Sequence, residues 1–455
     1  MSMAIAAMMG SPPQIQPPVS GHWWLPHAPE QLLRGVVAWD SGLPTLSLQG
    51  SFANNGAAHD AIFGDAMNGR RYTLQGVHGG FPVPQTTESV ELRGATVLRV
   101  FEGIHAVKPQ DLVVARQDLR FGNAEAWFHG QWHKIDAETG HAETLLPGRE
   151  RFSIDDGILV EAEAYANPSF TLNPPSATAK GQLVYRLHYE QPRRLAETST
   201  ERMALESFHL LASQSASPCL YRAFRTPVDG HEVTVKLLTD ARTWEPRHSS
   251  RIMFLFTRDD LPDWDGALRS WLRLYRQNPF ILESYMTYIQ ERRFSHEKFL
   301  ILAPALEAFH RSKGQSRIRA KTEHGALVQA ILERLSGDLE QHQNWVEGCL
   351  RDKNTPSFMM RMKALLAEHF GPLGWSEEMV NAEALAYRDT RNAGTHQREK
   401  AGRHAKQREE YEHLVNRAFV LLTLCLLKDI GLPDDDARRW ASEQIDGFVS
   451  YWLPE

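Results

Sequence analysis

Cysteine is nearly absent from this chain. Cys219, Cys349 and Cys425 are the only three in 455 residues, and no two of them form a C-x-x-C pair. That excludes a disulfide framework and a cysteine-based zinc site, and a reducing, cytoplasmic setting fits such usage. Long hydrophobic runs are missing as well. The longest, Ala418 to Leu427, is about half of the ~20 apolar residues that a membrane span needs and reads as a buried helix. Met1 to Gly10 is apolar but has no Lys or Arg, so it lacks the basic region of a signal peptide. There is no Walker loop, no G-x-G-x-x-G and no G-x-S-x-G, which removes P-loop, dinucleotide-binding and nucleophile-elbow chemistry. Nor is there an excess of positive charge. The net charge of -6 argues against a protein that binds nucleic acid with its whole surface.

What is present is enough apolar material for real cores, 42% of the residues, and a length that suggests two or three domains at roughly 150 residues each. Residues 1–20 hold Pro12, Pro13, Pro17 and Pro18 with little to bury, and read as a disordered lead-in. Residues 21–260 then carry strand and turn signals. Val36 to Trp39 and Thr45 to Leu48 flank Ser41-Gly42; Asn68-Gly69 and Asp229-Gly230 sit beside further strand-like runs. Such dipeptides favour hairpins because they accept positive φ. Ile158, Val160, Ala162 and Ala164 alternate with Leu159, Glu161 and Glu163, Leu183 to Tyr189 is another strand candidate, and one helix is expected at Ser199 to Ala212. A mainly antiparallel β-domain follows, with a sandwich as one packing open to it. Arg251 to Phe256 is the last strand candidate.

The pattern then becomes helical. Trp264 to Tyr275 and Pro279 to Arg293 read as connecting helices over 261–295, and residues 296–455 as an all-α bundle. Three apolar stripes support the bundle: Leu327, Ile331, Leu335 and Leu339; Met359, Met362, Leu365, Leu366 and Phe370; and Leu414, Ala418, Leu421, Leu422, Cys425 and Leu426. Stripes of this kind need each other to be buried. Gly431 is placed to cap the last of these helices.

One segment of the bundle carries chemistry. Arg391-Asn392-Ala393-Gly394-Thr395-His396 puts a guanidinium, an amide and an imidazole within six residues. Arginine holds phosphate with a planar fork of donors, and histidine moves protons near neutral pH. The bare spacing is common, since Arg319 and His324, or Arg408 and His413, repeat it. Asn directly after Arg, and a glycine break, set this copy apart. Gly394 costs about 1 kcal/mol in a helix interior relative to Ala, so the helix is expected to end near Ala393, letting His396 swing towards Arg391. The surrounding basic residues, Arg388, Arg398, Lys400 and Arg403 among them, form a patch that suits a phosphate backbone. Other groups carry less. His129, His133, Asp136, Glu138 and His141 lack metal-ligand spacing and read as surface residues. Trp23 and Trp24 could stack on a base or sugar but read as packing at the edge of the β-domain, and Glu307 could be an acid supporting the motif but reads more simply as a helix-face carboxylate.

On these residues the C-terminal third resembles the HEPN superfamily, whose ribonuclease members carry Arg-x4-6-His. It is more closely similar to the ApeA-type HEPN proteins of bacterial anti-phage defence. Phe299 to Arg311 is similar to the first bundle helix there, Arg391 to His396 to the active motif, and Phe419 to Gly431 to the closing helix. Pro304 departs from the pattern and should kink or restart its helix. Gly21 to Pro26, the hairpin from Gly35 to Phe52, and Ile62-Phe63-Gly64 ahead of Asn68-Gly69 are similar to the ApeA N-terminal domain. The resemblance implies an α+β multidomain protein, a β-rich ApeA-like domain followed by an all-α HEPN bundle. It implies a metal-independent, cofactor-free endoribonuclease of an abortive-infection system, in which a 2′-hydroxyl attacks the adjacent phosphate. Arg391 would hold that phosphate, His396 would act as general base or acid, and Asn392 would orient one of them. A homodimer is implied, because one motif supplies one histidine. RNA is then the substrate, and the β-domain would sense a phage-derived trigger or keep the nuclease quiet. The alternative is a non-catalytic HEPN protein that binds a nucleotide or a partner.

Overall fold

Period-two alternation of apolar residues, punctuated by Gly and Asn turns, builds the first half of the chain. Its strands are β1 (Val19–Leu25), β2 (Ala28–Ala38), β3 (Thr45–Gln49), β4 (His59–Ala66), β5 (Arg71–His78), β6 (Phe81–Pro84), β7 (Val90–Glu102) and β8 (Val113–Phe121). After a short helix α1 (Ala124–Phe128) come β9 (His133–Ile135), β10 (Ala142–Thr144), β11 (Arg149–Ile154), β12 (Ile158–Leu172) and β13 (Pro175–Arg194). Helix α2 (Ser199–Ser213) and the hairpin β14 (Cys219–Val228) and β15 (His231–Leu237) complete the set. The computed structural model describes residues 17–39, 43–52, 58–84, 90–128, 133–135, 142–144, 149–154, 157–172, 175–238, 254–291, 297–314, 317–335, 341–396 and 408–447. Residues 1–16 of the expected lead-in lie outside them, and β1 already runs from Val19. The contacts divide the chain into two compact units, Met1–Asp259 and Asp260–Glu455.

In the first unit β7, β3, β2, β1, β4 and β5 pair in that order, and β5 returns to β7. The result is a closed barrel, which continues from β7 through β15, β14, β8, β13 and β12 to β11 as an open sheet. This corrects the sandwich. β7 spans 13 residues and pairs with β3 at Thr96 and with both β5 and β15 at Glu102, so one strand serves barrel and sheet together. Trp23, Leu46, Ile62, Leu74 and Val97 fill the barrel at 0% exposure. Trp23 is thus core rather than edge, and Gly64 makes room for it, since a Cβ there would overlap its ring. Trp24 stays partly exposed, edge-on to Phe63 and His105.

The turns divide. Asp229 and Gly230 take φ of 49° and 80°, as a two-residue hairpin of this type requires. At Asn68-Gly69 only Gly69 has a positive φ, 78°, and Ala66 N–H donates to the Arg70 carbonyl at 3.0 Å around a longer loop. Ile158, Val160, Ala162 and Ala164 all point into the core. Helix α2 covers the expected span and drives Phe208 and His209 into the open sheet against Phe121 and Trp127. Burial pushes the His209 imidazole down to about 3, so it is neutral there. Of the last strand candidate, residues 251–253 lie outside the described residues and Phe254 to Phe256 form no strand; Phe256 instead packs edge-on against Trp127.

The second unit is helical: α3 (Trp264–Gln277), α4 (Pro279–Gln290), α5 (Glu297–Ser312), α6 (Lys321–Arg334), α7 (Gln343–Arg351), α8 (Phe358–Phe370), α9 (Glu377–His396), α10 (Arg408–Asp429) and α11 (Asp434–Gly447). Helices α5, α8, α9 and α10 pack on one another as the bundle. The stripes on α8 and α10 are its core, with Met362, Leu366, Leu414, Ala418, Leu421, Leu422 and Leu426 all at 0% exposure. Gly431, at φ 77°, caps α10, and Leu432 N–H donates to the Leu427 carbonyl at 3.0 Å. One expectation is corrected, and so is the restart of the helix expected at Pro304. The α6 stripe is not core: Leu327 is 40% exposed and Val328 is the buried residue of that helix, because α6 packs chiefly on α7 rather than on the bundle; Leu339 lies outside the described residues. Pro304 sits inside α5 without ending it. Its ring removes one backbone donor, but Leu302, Ala303, Ala305 and Leu306 around it are fully buried and hold the helix in place.

Candidate active site

Helix α9 delivers the motif. Ala384, Ala386, Tyr387 and Thr390 recur at helical spacing and face the interior, with Tyr387 fully buried edge-on to Phe299 of α5. Two turns before the motif Glu383 accepts two hydrogen bonds from Arg417 of α10, at 2.7 and 3.0 Å. Such a forked pair fixes both rotation and height of the helix. Arg391, one position after Thr390, therefore emerges at the rim of the bundle.

Its guanidinium is held from two sides. Its Cζ lies over the Phe358 ring of α8, 4.7 Å from the centroid. One edge meets the Glu307 carboxylate of α5 at 3.5 Å. Glu307 gathers further cations: Arg311, one turn on, at 2.6 Å, and Arg361 of α8 at 3.8 Å. Arg361 is buried, donating to the Pro356 carbonyl at 3.1 Å and to Nδ1 of His310 at 3.3 Å. A guanidinium only donates, so that nitrogen of His310 must be the acceptor. Burial and the neighbouring Arg311 pull the Arg361 pKa down, and Glu307 opposes them. The helix-face carboxylate expected at Glu307 is thus the hub of three helices. Its signal in the sequence was the Glu307 to Arg311 spacing of four on α5; nothing marked Arg361, which sits as a charge between Met360 and Met362.

The other expected residues are placed as follows. Asn392 is exposed on the next position of α9. The backbone of α9 stays helical through His396, so the expected break at Gly394 is corrected. The well-anchored turns before it tolerate the roughly 1 kcal/mol that a helical glycine costs. In a continuous helix, positions 391 and 396 lie about 140° apart around the axis, whereas 392 and 396 share a side. Nothing beyond the backbone is described at His396. Arg388 bonds its neighbour Asp389 at 2.7 Å and reaches Met359 Sδ at 3.8 Å. Arg398, Lys400 and Arg403 lie outside the described residues, as do His129, Asp136, Glu138 and His141. Among the described residues no helix is long and apolar enough to cross a membrane.

Comparison with known families matches both units. Residues 18–271 match the model described as ApeA N-terminal domain 1, and residues 300–436 match Apea-like HEPN. No curated protein and no solved structure matches the chain.

Proposed function

Since the chain belongs to the ApeA-type HEPN family, we propose that it is a metal-independent endoribonuclease of bacterial anti-phage defence, acting by abortive infection in the cytoplasm. The observation that carries this reading is the state of Arg391: a partly exposed guanidinium that lies over the Phe358 ring and meets the Glu307 carboxylate. Such a group is positioned for a phosphate before any phosphate arrives, and preorganised charge is usually the largest single contribution to catalysis.

In the proposed reaction the 2′-oxygen forms a bond to the adjacent phosphorus and the bond from phosphorus to the 5′-oxygen breaks. The products are a 2′,3′-cyclic phosphate and a 5′-hydroxyl. A base takes the 2′-hydroxyl proton and an acid returns one to the leaving 5′-oxygen. Arg391 offsets the charge that builds on the phosphate. His396 serves as base or acid, worth typically 10² to 10⁴ in rate, and Asn392, on the same side of α9, orients the phosphate or the imidazole.

One motif supplies one imidazole, and in a continuous α9 the Arg391 and His396 positions diverge. Two bundles related by a two-fold axis bring together what one chain separates, so the active form is a homodimer with a composite cleft. The basic stretch around Arg388, Arg398, Lys400 and Arg403 lines it for RNA, and the β-rich unit responds to a phage-derived trigger. The same divergence favours a second reading, a HEPN protein that binds a nucleotide or partner without cleaving. RNA ends separate the two readings. Incubated RNA should acquire 2′,3′-cyclic phosphate and 5′-hydroxyl termini, and mixing His396→Ala chains with wild type should poison activity beyond dilution. Intact RNA under activating conditions would leave the binding reading.

A further inference from the structure

The outside of the barrel carries an aromatic pair where alternation alone would place polar residues. Period two sends Trp23 of β1 and Ile62 of β4 into the core, so Trp24 and Phe63 point outward, opposite each other across the β1–β4 pair. His105, from the segment after β7, stacks on Phe63 with centroids 5.0 Å apart and planes 13° from parallel. Trp24 meets His105 and Phe63 nearly at right angles, at 5.1 and 6.5 Å. His105 is itself tied down, its Nε2 donating to the Gly64 carbonyl at 3.1 Å. β2 registers with Trp23 at Leu33 and with Leu25 at Ala28, and no β2 residue registers with Trp24. Irregularities of this kind re-aim a side chain. The indole is thus braced by two rings, has no cross-strand neighbour on β2 and is partly exposed.

A row of charge runs alongside. Arg34 of β2, His22 of β1, Asp65 of β4 and Arg71 of β5 stand in register across four strands. Both arginines are exposed, and among the described residues neither makes an ion pair. Asp65 meets His105 Nε2 at 3.3 Å. The row therefore holds two unpaired guanidiniums against one carboxylate, and Arg34 adjoins His22 on the side away from Asp65. Trp24 and His22 are two residues apart on one strand, roughly 7 Å, the scale that separates the base of a nucleotide from its phosphate.

We infer that the outer face of β1 and β4 binds one nucleotide unit, its base stacking on Trp24 and its phosphate meeting Arg34 and His22. Stacking takes any base, since every base has a π-face, so the ligand class is a nucleotide, free or within a single strand. An acidic peptide would use the arginines but not the braced indole. Of the two adjacent tryptophans Trp23 is spent on the core, and Trp24 is the one left to a ligand. The inference does not rest on the ribonuclease reading.

The test is photo-crosslinking of the full chain to a single-stranded RNA oligonucleotide that carries iodouridine, which couples to an aromatic ring lying against its base. A His396→Ala background prevents cleavage, and peptide mapping locates the bond. The yield on β1 against oligonucleotide concentration gives the affinity of this site alone, apart from any RNA held by the helical unit. The bond should form at Trp24. Trp24→Phe, which keeps a ring, should keep the crosslink, and Trp24→Leu should remove it. Arg34→Gln should weaken the site several-fold and make the slope of log affinity against log salt shallower by about 0.7, the share of one phosphate contact. Melting curves check that each variant folds. Iodouridine monophosphate separates the two sources: saturation by the monophosphate assigns a free nucleotide, saturation by the oligonucleotide alone assigns a single strand, and either supports the site. No bond at Trp24, or an Arg34→Gln chain with the parent's affinity and slope, overturns it. So does polyglutamate that competes as well as unlabelled oligonucleotide of equal charge, which would mark a face for acidic peptides.

Discussion

Replacing Glu307 with Gln removes one negative charge and almost no volume, so the change isolates electrostatics. Three contacts are affected. The Arg311 pair is an exposed i,i+4 contact at 2.6 Å and is worth about 0.3–0.5 kcal/mol. The Arg391 contact at 3.5 Å is long and half open to water, so it adds little stability. The third dominates. Arg361 is buried, its charge is already disfavoured by burial and by Arg311, and Glu307 is the carboxylate that offsets both. Losing that partner costs about 1–3 kcal/mol. The melting temperature of the helical unit should fall by about 3–10 °C, measured by calorimetry or circular dichroism. A double-mutant cycle sharpens the point. Arg361→Met should cost less beside Glu307→Gln than in wild type, because there it removes a buried cation that has already lost its carboxylate. A Glu307→Gln protein as stable as wild type, or equal costs of Arg361→Met in both backgrounds, would refute the hub.

Further outcomes follow from other contacts. Arg391→Ala should abolish RNA cleavage with the protein folded, and Arg391→Lys should rescue little, since both the planar fork and the stack on Phe358 are lost; full activity of the Lys variant would show that charge alone suffices. Gly64→Val should destabilise the barrel by about 1–3 kcal/mol through overlap with Trp23, seen as a lower melting temperature; an unchanged transition would mean that the ring has room to move. His209 is neutral when folded, with a pKa of about 3 against 6.5 for the free side chain. The unfolded state therefore binds its proton first as acid is added. Its contribution is full above about pH 6.5 and is lost on acidification at about 1.4 kcal/mol per pH unit. His209→Phe should flatten the fall in stability between pH 7 and 5, and a parallel pH profile would remove His209 as its source.

The sequence was most legible where one local rule acts alone. The α2 span, the left-handed turn at Asp229-Gly230 and the Gly431 cap each follow from a few adjacent residues, and each stands as read. The α10 stripe was legible because that helix is apolar on nearly every side and has neighbours to meet it. Barrel closure was not. It depends on β5 meeting β7, and nothing local to either strand encodes that pairing. The α6 stripe misled for the converse reason: periodicity states that a helix has an apolar face, not that a bundle covers it. Gly394 was weighed by its intrinsic cost, and the anchoring of α9 by Tyr387, Thr390 and the Glu383 to Arg417 fork outweighed it. At the candidate site the motif was visible, but its support was not. Glu307, Phe358 and Arg361 come from two other helices, and only the packed bundle shows that they converge on Arg391.

The central claim is that this chain cuts RNA with Arg391 and His396 and no metal. The most direct measurement is cleavage of cellular RNA in excess EDTA by wild type, Arg391→Ala and His396→Ala, each prepared as the full chain and checked for folding, under conditions in which wild type is active. The account predicts cleavage by wild type that survives chelation, and none by either variant. Cleavage lost in EDTA and restored by Mg²⁺ or Mn²⁺, or cleavage undiminished in His396→Ala, would contradict it.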